Sequence, residues 1–208
     1  MRGILPTVLD TRFEAILSQE RSLAKAVAAT MVEMNPLTVW DLMMLPVFFI
    51  NFLKFRRARE AFTLNFLFTK KLALEAAFDM IDKGKTKEEV LARIENKTGD
   101  ILDSDTKGIY SENIRRRQME EINLLIEHYC KLLQAEGRDY ASLVKNAYQT
   151  EENYTAFLQR LKLVEKEVNR AAKQTVRTKT ASAMVSKMEK TTEWMRMAEA
   201  EKIFGSIK

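Results

Sequence analysis

Hydrophobic residues recur every three or four positions along most of the chain, which is the spacing of one buried face on an α-helix. The first stripe of this kind predicts a helix from about residue 10 to residue 34, with a capping box at Thr11 and Glu14. The pair Asn35-Pro36 ends this helix, because the residue before a proline avoids the helical conformation.

The same periodicity predicts five further helices, over residues 46–83, 86–97, 111–137, 139–147 and 150–173. The residues at their N-cap positions include Thr86, Ser111, Asp139 and Thr150. Gly84 suits the left-handed position that follows a helix, and the stretch 99–110 is the clearest loop of the chain.

This pattern predicts an all-α fold, a helical bundle of about six or seven helices. Only six glycines and three prolines occur in 208 residues, too few for the turns of a β-rich fold. Residues 1–173 are expected to form a single helical domain. Residues 174–208, where large apolar residues become sparse, are expected to form an extended C-terminal helix.

Residues 37–53 are the most apolar part of the chain, with Asp41 as their one charged residue. Seven of the eleven phenylalanines fall between positions 48 and 68. Trp40 stands near one end of the run and a basic cluster follows the other end, as at the borders of many membrane segments. Pro46 lies within it, so the long Phe-rich helix is predicted to be kinked or started there.

Three interpretations of this apolar segment stay open. It is the core helix of a soluble bundle, a membrane-dipping or interfacial element, or a true span with the C-terminal part of the chain in the cytoplasm. The free energy of inserting residues 37–53 into a membrane does not decide between these interpretations. The apolar residues contribute about −3 to −6 kcal/mol, and Asp41 opposes them with up to about +3 kcal/mol. A helix that is apolar on every face must be covered on every face, which favours lipid or a partner subunit.

The residues expected to anchor the chain in a membrane or a partner are Trp40, Phe48, Phe49, Phe52 and Phe55. The cations expected to contact lipid phosphate or an acidic partner next to them are Lys54, Arg56, Arg57 and Arg59. Further cations share one face of the last predicted long helix: Lys162, Lys166, Arg170, Lys173 and Arg177. Glu165 and Glu167 interrupt this basic stripe, so a solvated helix surface is the competing interpretation.

The sequence contains no motif for a catalytic, cofactor-binding or metal-binding site, and we expect no enzyme activity, no cofactor and no metal. His128 and Cys130 lie two positions apart on a predicted helix and therefore do not share a face as a nucleophile–base pair would. Glu120 and Glu121 stand among arginines, which indicates a solvated charged face.

The Asp-rich loop at Asp103 and Asp105 resembles a calcium loop in part. Lys107 replaces an oxygen ligand there, and Ile114 replaces the glutamate that would close the site. We therefore interpret this stretch as a connector between helices.

A net charge of +5 favours anionic partners such as a membrane surface or nucleic acid. The single cysteine fits a reducing compartment, and acidic and basic residues interrupt the short apolar N-terminus, which is unlike a signal peptide. The expected location is the cytoplasm or the cytoplasmic face of a membrane.

These features predict a non-catalytic helical adaptor or structural subunit, held at a membrane or in a larger assembly through residues 37–68. The partner is then a membrane surface or another protein subunit, within an oligomer or complex. The alternative is a soluble helical bundle that binds protein or, less favoured, nucleic acid, with residues 48–81 as its internal core.

Overall fold

The structure is a computed structural model that describes residues 7–32, 58–106, 110–175 and 179–205. Within these ranges it contains seven α-helices and no β-strand. The helices are α1 (Val8–Val32), α2 (Ala58–Asp82), α3 (Lys87–Ser104), α4 (Glu112–Gln134), α5 (Tyr140–Tyr148), α6 (Glu151–Thr175) and α7 (Lys179–Phe204). The all-α helical bundle predicted from the sequence is confirmed.

Helix α1 begins one turn earlier than its predicted capping box. The backbone N–H of Thr7 donates to the Asp10 carboxylate over 2.8 Å, and the N–H of Asp10 donates to the Thr7 hydroxyl over 3.1 Å. The pair Thr11 and Glu14 has the same spacing one turn later, so the sequence offers two equivalent starts. The earlier start prevails, and it places Leu9 against the core.

Helix α3 is longer than predicted, because it continues through Gly99 to Ser104. The side chain of Thr98, just before the glycine, is fully buried, and its hydroxyl donates to the carbonyl of Ile94 over 2.9 Å. Ile101 then packs on the core. The predicted loop is therefore shorter than residues 99–110, whereas the predicted N-caps at Thr86, Ser111 and Asp139 are confirmed.

Five long helices form a closed ring in which each packs against the next. Helix α1 packs on α2, α2 on α4, α4 on α6, α6 on α7, and α7 returns to α1. Helix α3 lies along α2 and α4, while the short α5 contacts α1, α4, α6 and α7. No extensive packing joins α2 directly to α6 or α7 among the described residues, so a space is left between them.

Two separate hydrophobic clusters fill the ring, one toward each end, and every ring helix contributes to both. The first cluster contains Ile16, Ala77, Ile122, Leu158 and Ala200, and α5 adds Leu143 and Val144 to it. The second cluster contains Val27, Met31, Phe62, Ile114, Ala172 and Val185. The two hydrophobic clusters do not join, so residues of another kind lie between them.

The described part of the Phe-rich helix lies in the bundle. On α2, Phe62 is 5% exposed and Leu67 is 8% exposed, whereas Leu64 is 57% exposed. No described helix combines the length and the hydrophobicity needed to cross a bilayer.

The whole predicted anchor lies outside the described residues, namely Trp40, Phe48, Phe49, Phe52 and Phe55. Pro46 and the predicted anion-contacting cations Lys54, Arg56 and Arg57 also lie outside them. Arg59 lies on α2, but its side chain is also outside the described part.

Helix α7, which corresponds to the predicted C-terminal extension, packs against α1, α5 and α6. Its residues Val185 and Ala200 are fully buried, and Ile203 is 5% exposed. This helix therefore closes the ring.

Shortening a buried side chain of α7 tests this role. Ile203→Ala is expected to lower the free energy of unfolding by about 2 to 4 kcal/mol, because it removes buried methyl groups and leaves a cavity. The matched control Leu163→Ala removes a side chain that is 63% exposed and is expected to change it by less than about 0.5 kcal/mol. Urea denaturation followed by circular dichroism measures both, and equal losses in the two variants would contradict the packing of α7.

Candidate functional site

A layer of charged side chains separates the two hydrophobic clusters. Each of the five ring helices contributes one residue to it, and we name this set the central charged layer: Glu20, Lys70, Glu121, Glu165 and Arg196. Lys70, Glu121 and Arg196 are 3%, 4% and 7% exposed. Charges this deeply buried are tolerated only when they are paired.

Glu165 of α6 is the hub of the layer. Its two carboxylate oxygens accept hydrogen bonds from the Arg196 guanidinium of α7 over 2.6 and 2.9 Å. The Lys70 ammonium of α2 donates to the same carboxylate over 3.2 Å. One carboxylate therefore ties together three helices of the ring, and two of them, α2 and α7, do not pack extensively on each other.

Lys70 also faces Glu121 of α4, and the ammonium nitrogen lies 3.6 Å from the nearer carboxylate oxygen. The Thr69 hydroxyl donates to that same oxygen over 2.9 Å. The ammonium lies over the ring of Phe66, 4.3 Å from its centroid, in a cation–π contact. Lys70 is thus held by two carboxylates and one aromatic face.

The pKa values of this group follow from burial and pairing. Burial opposes ionisation of Glu165, but the charges and hydrogen bonds of Arg196 and Lys70 outweigh it and lower its pKa to about 2. Burial likewise opposes the charge of Lys70, yet Glu165 and Glu121 together raise its pKa above the usual value. For Glu121 burial prevails over the attraction of Lys70, so its pKa is raised.

The spacing of these residues in the sequence does not mark them as a group. The expectation that Glu121 lies on a solvated face is wrong, because its side chain is buried. Glu165 does stand within the basic stripe of α6, but its carboxylate binds Arg196 and Lys70. Each layer residue stands at a helical step from apolar neighbours: Glu165 follows Leu161 by four positions, and Arg196 precedes Ala200 by four. A charge in the middle of an apolar stripe is the signal that could have revealed the layer.

A groove of about 570 Å³ opens above the central charged layer, in the space between α2, α6 and α7, with α4 at its base. Its lining is mixed. The apolar side chains that line it include Phe62, Phe66, Ile114, Val168, Ala172 and Met188. The charged lining consists of layer residues at the bottom and of lysines and glutamates of α6 and α7 at the rim.

The predicted basic stripe of α6 is largely neutralised by neighbouring acids. Lys162 pairs with Glu193 of α7, and Lys173 lies 3.8 Å from Glu189. Arg170 pairs with Glu167 on its own helix over 2.7 Å. Lys166 of the same stripe has no ion pair with a described residue. Arg177, the last residue of the stripe, lies outside the described residues.

Two exposed apolar side chains flank the groove on α7. Trp194 is 68% exposed, and Met197, which lines the groove, is 39% exposed. They stand three positions apart and therefore lie side by side on the helix surface. An exposed tryptophan beside a groove is typical of a binding surface.

His128 is part of the core. Its Nδ1 lies 2.7 Å from the Tyr148 hydroxyl, and its ring stacks on Phe157 with centroids 4.1 Å apart. Burial, with a smaller contribution from Arg196, lowers its pKa to about 3, so it is neutral at physiological pH. Cys130 is half-buried, and burial raises the pKa of its thiol. Within the described residues, no group of histidine, cysteine and carboxylate side chains could hold a metal ion.

The carboxylates of Glu199 and Glu20 face each other where α7 meets α1. Glu199 accepts a hydrogen bond from the Gln19 amide and faces Glu20. Burial, and then repulsion by Glu20, raise the pKa of Glu199 to about 7, while Arg196 and Lys202 oppose the rise. The contact between α7 and α1 therefore contains one carboxyl group, that of Glu199, which titrates near neutral pH.

The hub role of Glu165 predicts a large loss of stability when it is replaced. Glu165→Leu leaves two buried cations with one carboxylate less, and is expected to lower the free energy of unfolding by about 3 to 5 kcal/mol. Glu167→Leu, which removes a surface ion pair, is the control and is expected to cost about 0.5 kcal/mol or less.

Adding Arg196→Met to Glu165→Leu removes the unmatched guanidinium and is expected to recover part of that loss. Urea denaturation of the single and double variants measures the coupling. Additive losses would show that the two side chains act independently.

The raised pKa of Glu199 predicts that the free energy of unfolding changes with pH. Its pKa is about 7 in the folded state and near 4.5 when exposed, so the folded state binds more protons between these values and stability falls as pH rises. Glu199→Gln removes this loss of stability, because glutamine does not titrate. Its stability relative to the unmodified chain is expected to be unchanged below pH 4.5 and to rise by about 1 to 3 kcal/mol by pH 8. A difference that stays constant from pH 4 to pH 8, measured by urea denaturation, would refute the shift.

The chain matches no protein-family model, no curated protein and no solved structure. The central charged layer, the groove and the apolar segment before α2 are therefore the features from which a function can be inferred.

Proposed function

We propose that this chain is a non-catalytic helical adaptor or structural subunit, attached to a membrane surface or to another protein subunit through the apolar segment that precedes α2. The observation that carries the proposal is the closure of the ring. The five long helices contact one another in a full circle through described residues alone. Every ring helix contributes described residues to both core clusters. We infer that the aromatic residues of 37–53 serve an outside partner.

The composition of that segment supports an apolar partner with an anionic border. Residues 37–53 carry the single charge of Asp41, and four cations follow within six positions, at 54, 56, 57 and 59. An apolar stretch bordered by cations suits the boundary between lipid chains and phosphate groups, or an apolar site with an acidic rim. A cytoplasmic location, or the cytoplasmic face of a membrane, fits this arrangement.

The pairing of the buried charges supports a non-catalytic role. Both carboxylates beneath the groove are held by cations, since Glu165 binds Arg196 and Lys70, and Lys70 also faces Glu121. His128 is buried among aromatic rings and neutral. These groups stabilise the ring, and none is presented to the groove as an uncommitted acid or base.

Flotation with liposomes that contain anionic lipid tests the attachment. The unmodified chain is expected to float with the vesicles, and replacing Phe48, Phe49 and Phe52 with serine is expected to abolish this. Circular dichroism checks that the variant stays folded. Binding that resists a high-salt wash would indicate apolar insertion, since salt releases purely electrostatic contacts.

The matched control is Leu64→Ser, which changes an exposed apolar residue within the ring and should leave flotation intact. Loss of flotation in this control alone, or an unchanged result for the triple variant, would contradict attachment through residues 37–53.

The second candidate is a soluble module that binds a protein or, less favoured, nucleic acid, with residues 48–81 as its internal core. The exposed pair Trp194 and Met197 beside the groove favours it, because tryptophan is enriched among the residues that dominate binding energy. In the flotation experiment this candidate is supported by a chain that stays with the aqueous fraction as a monodisperse monomer without detergent.

A further inference from the structure

Two lysines on neighbouring helices line the rim of the groove, Lys166 of α6 and Lys190 of α7. Lys162 of α6 pairs with Glu193 of α7, and Asn169 of α6 donates to Glu189 over 3.1 Å, so the two helices run antiparallel in a fixed register. Lys166 on α6 falls between these contacts, and so does Lys190 on α7. Both line the groove.

These two lysines lack acidic partners. Both are exposed, and neither forms an ion pair with any described residue, although the lysines above and below them on α6 do. Two like charges that line the same groove repel each other, and an anion bound near both relieves this repulsion. The rim therefore offers a place for one anionic group.

The wall next to this place is apolar. Phe62 and Phe66 of α2, Ile114 of α4, and Val168 and Ala172 of α6 line the groove on the side of the second hydrophobic cluster. Met188 of α7 completes this wall, and flexible methionines adapt to ligands of varied shape. The apolar chain of a ligand at this wall would pack against the second hydrophobic cluster and extend it.

The balance of charge decides the orientation of a ligand. At the floor the charges cancel, because Glu121 and Glu165 are matched by Lys70 and Arg196. The rim carries two glutamates, Glu189 and Glu193, and four lysines, Lys162, Lys166, Lys173 and Lys190. An anionic head group is therefore favoured at the rim, near Lys166 and Lys190. Its apolar chain then follows the aromatic wall.

The size of the groove suits a small molecule. At about 570 Å³ it falls within the ~300–1,000 Å³ typical of small-molecule sites.

We propose that the groove binds a single-chain amphiphile with an anionic head group, held near Lys166 and Lys190, with its chain along the Phe66 and Met188 side. The site is distinct from the apolar segment before α2, so it goes beyond the proposed attachment and does not depend on it.

Calorimetric titration of the full chain with dodecanoate, below its micelle concentration, tests the site. We expect saturable binding at one molecule per chain. Dodecanol, which has the same chain without the charge, is expected to bind at least about fivefold more weakly. Dodecyl phosphate distinguishes the source of the head group, since tighter binding than dodecanoate indicates a single-chain phosphate ester and weaker binding indicates a fatty carboxylate.

Two variants locate the ligand. Lys166→Gln with Lys190→Gln is expected to weaken dodecanoate binding at least about fivefold, while Lys97→Gln with Lys145→Gln, at exposed lysines elsewhere, should leave it unchanged. Val168→Asp places an acid on the apolar wall and is expected to abolish binding in a protein whose circular dichroism is unaltered.

Three results would overturn the proposal: no saturable binding, equal affinity for dodecanol and dodecanoate, or an unchanged affinity in the Lys166 and Lys190 variant. Flotation with liposomes is measured separately. A failure of this site therefore leaves the attachment through residues 37–53 untouched.

Discussion

The ion pairs of Glu165 with Arg196 and Lys70 are the constraint on which the rest of the fold depends. A carboxylate at this depth is costly unless both cations reach it, and each cation comes from a different helix. Moving one helix by a single turn, ~5.4 Å, would separate a charge from its partner. The apolar clusters above and below tolerate some sliding, since hydrophobic contact is not directional. We infer that the charged layer sets the helix register and that the clusters supply most of the stability.

The position of the layer also explains the groove. Helix α2 meets α6 through the ion pair of Lys70 with Glu165 and not through extensive packing, so the backbone of α2 stays apart from those of α6 and α7. The gap is bordered below by paired charges and on one side by the second hydrophobic cluster. The groove thus arises from the same residues that hold the ring together, so we expect changes in the charged layer to alter both the stability of the ring and the shape of the groove.

Helix positions were predictable from the sequence, because capping residues and apolar periodicity act locally. The buried faces of α4 and α6 show this, since Ile122, Leu125 and Leu161 lie inward as their spacing predicts. The start of α1 was missed because two equivalent caps stand one turn apart. The charged layer was not predictable in the same way: Glu165 and Glu121 look like surface residues until the partners that neutralise them arrive from distant parts of the chain. Long-range pairing of this kind has no local signature beyond a charge within an apolar stripe.

Closure of the ring by α7 has a consequence for biosynthesis. Helix α1 gains its last neighbour from residues 179–204, which leave the ribosome well after α1 itself. Until then Lys70 and Glu165 lack the guanidinium that completes their layer, and one side of the two clusters is uncovered. Contacts between distant segments form slowly. We therefore expect the apolar surface that α7 covers to stay exposed until residues 179–204 have been synthesised.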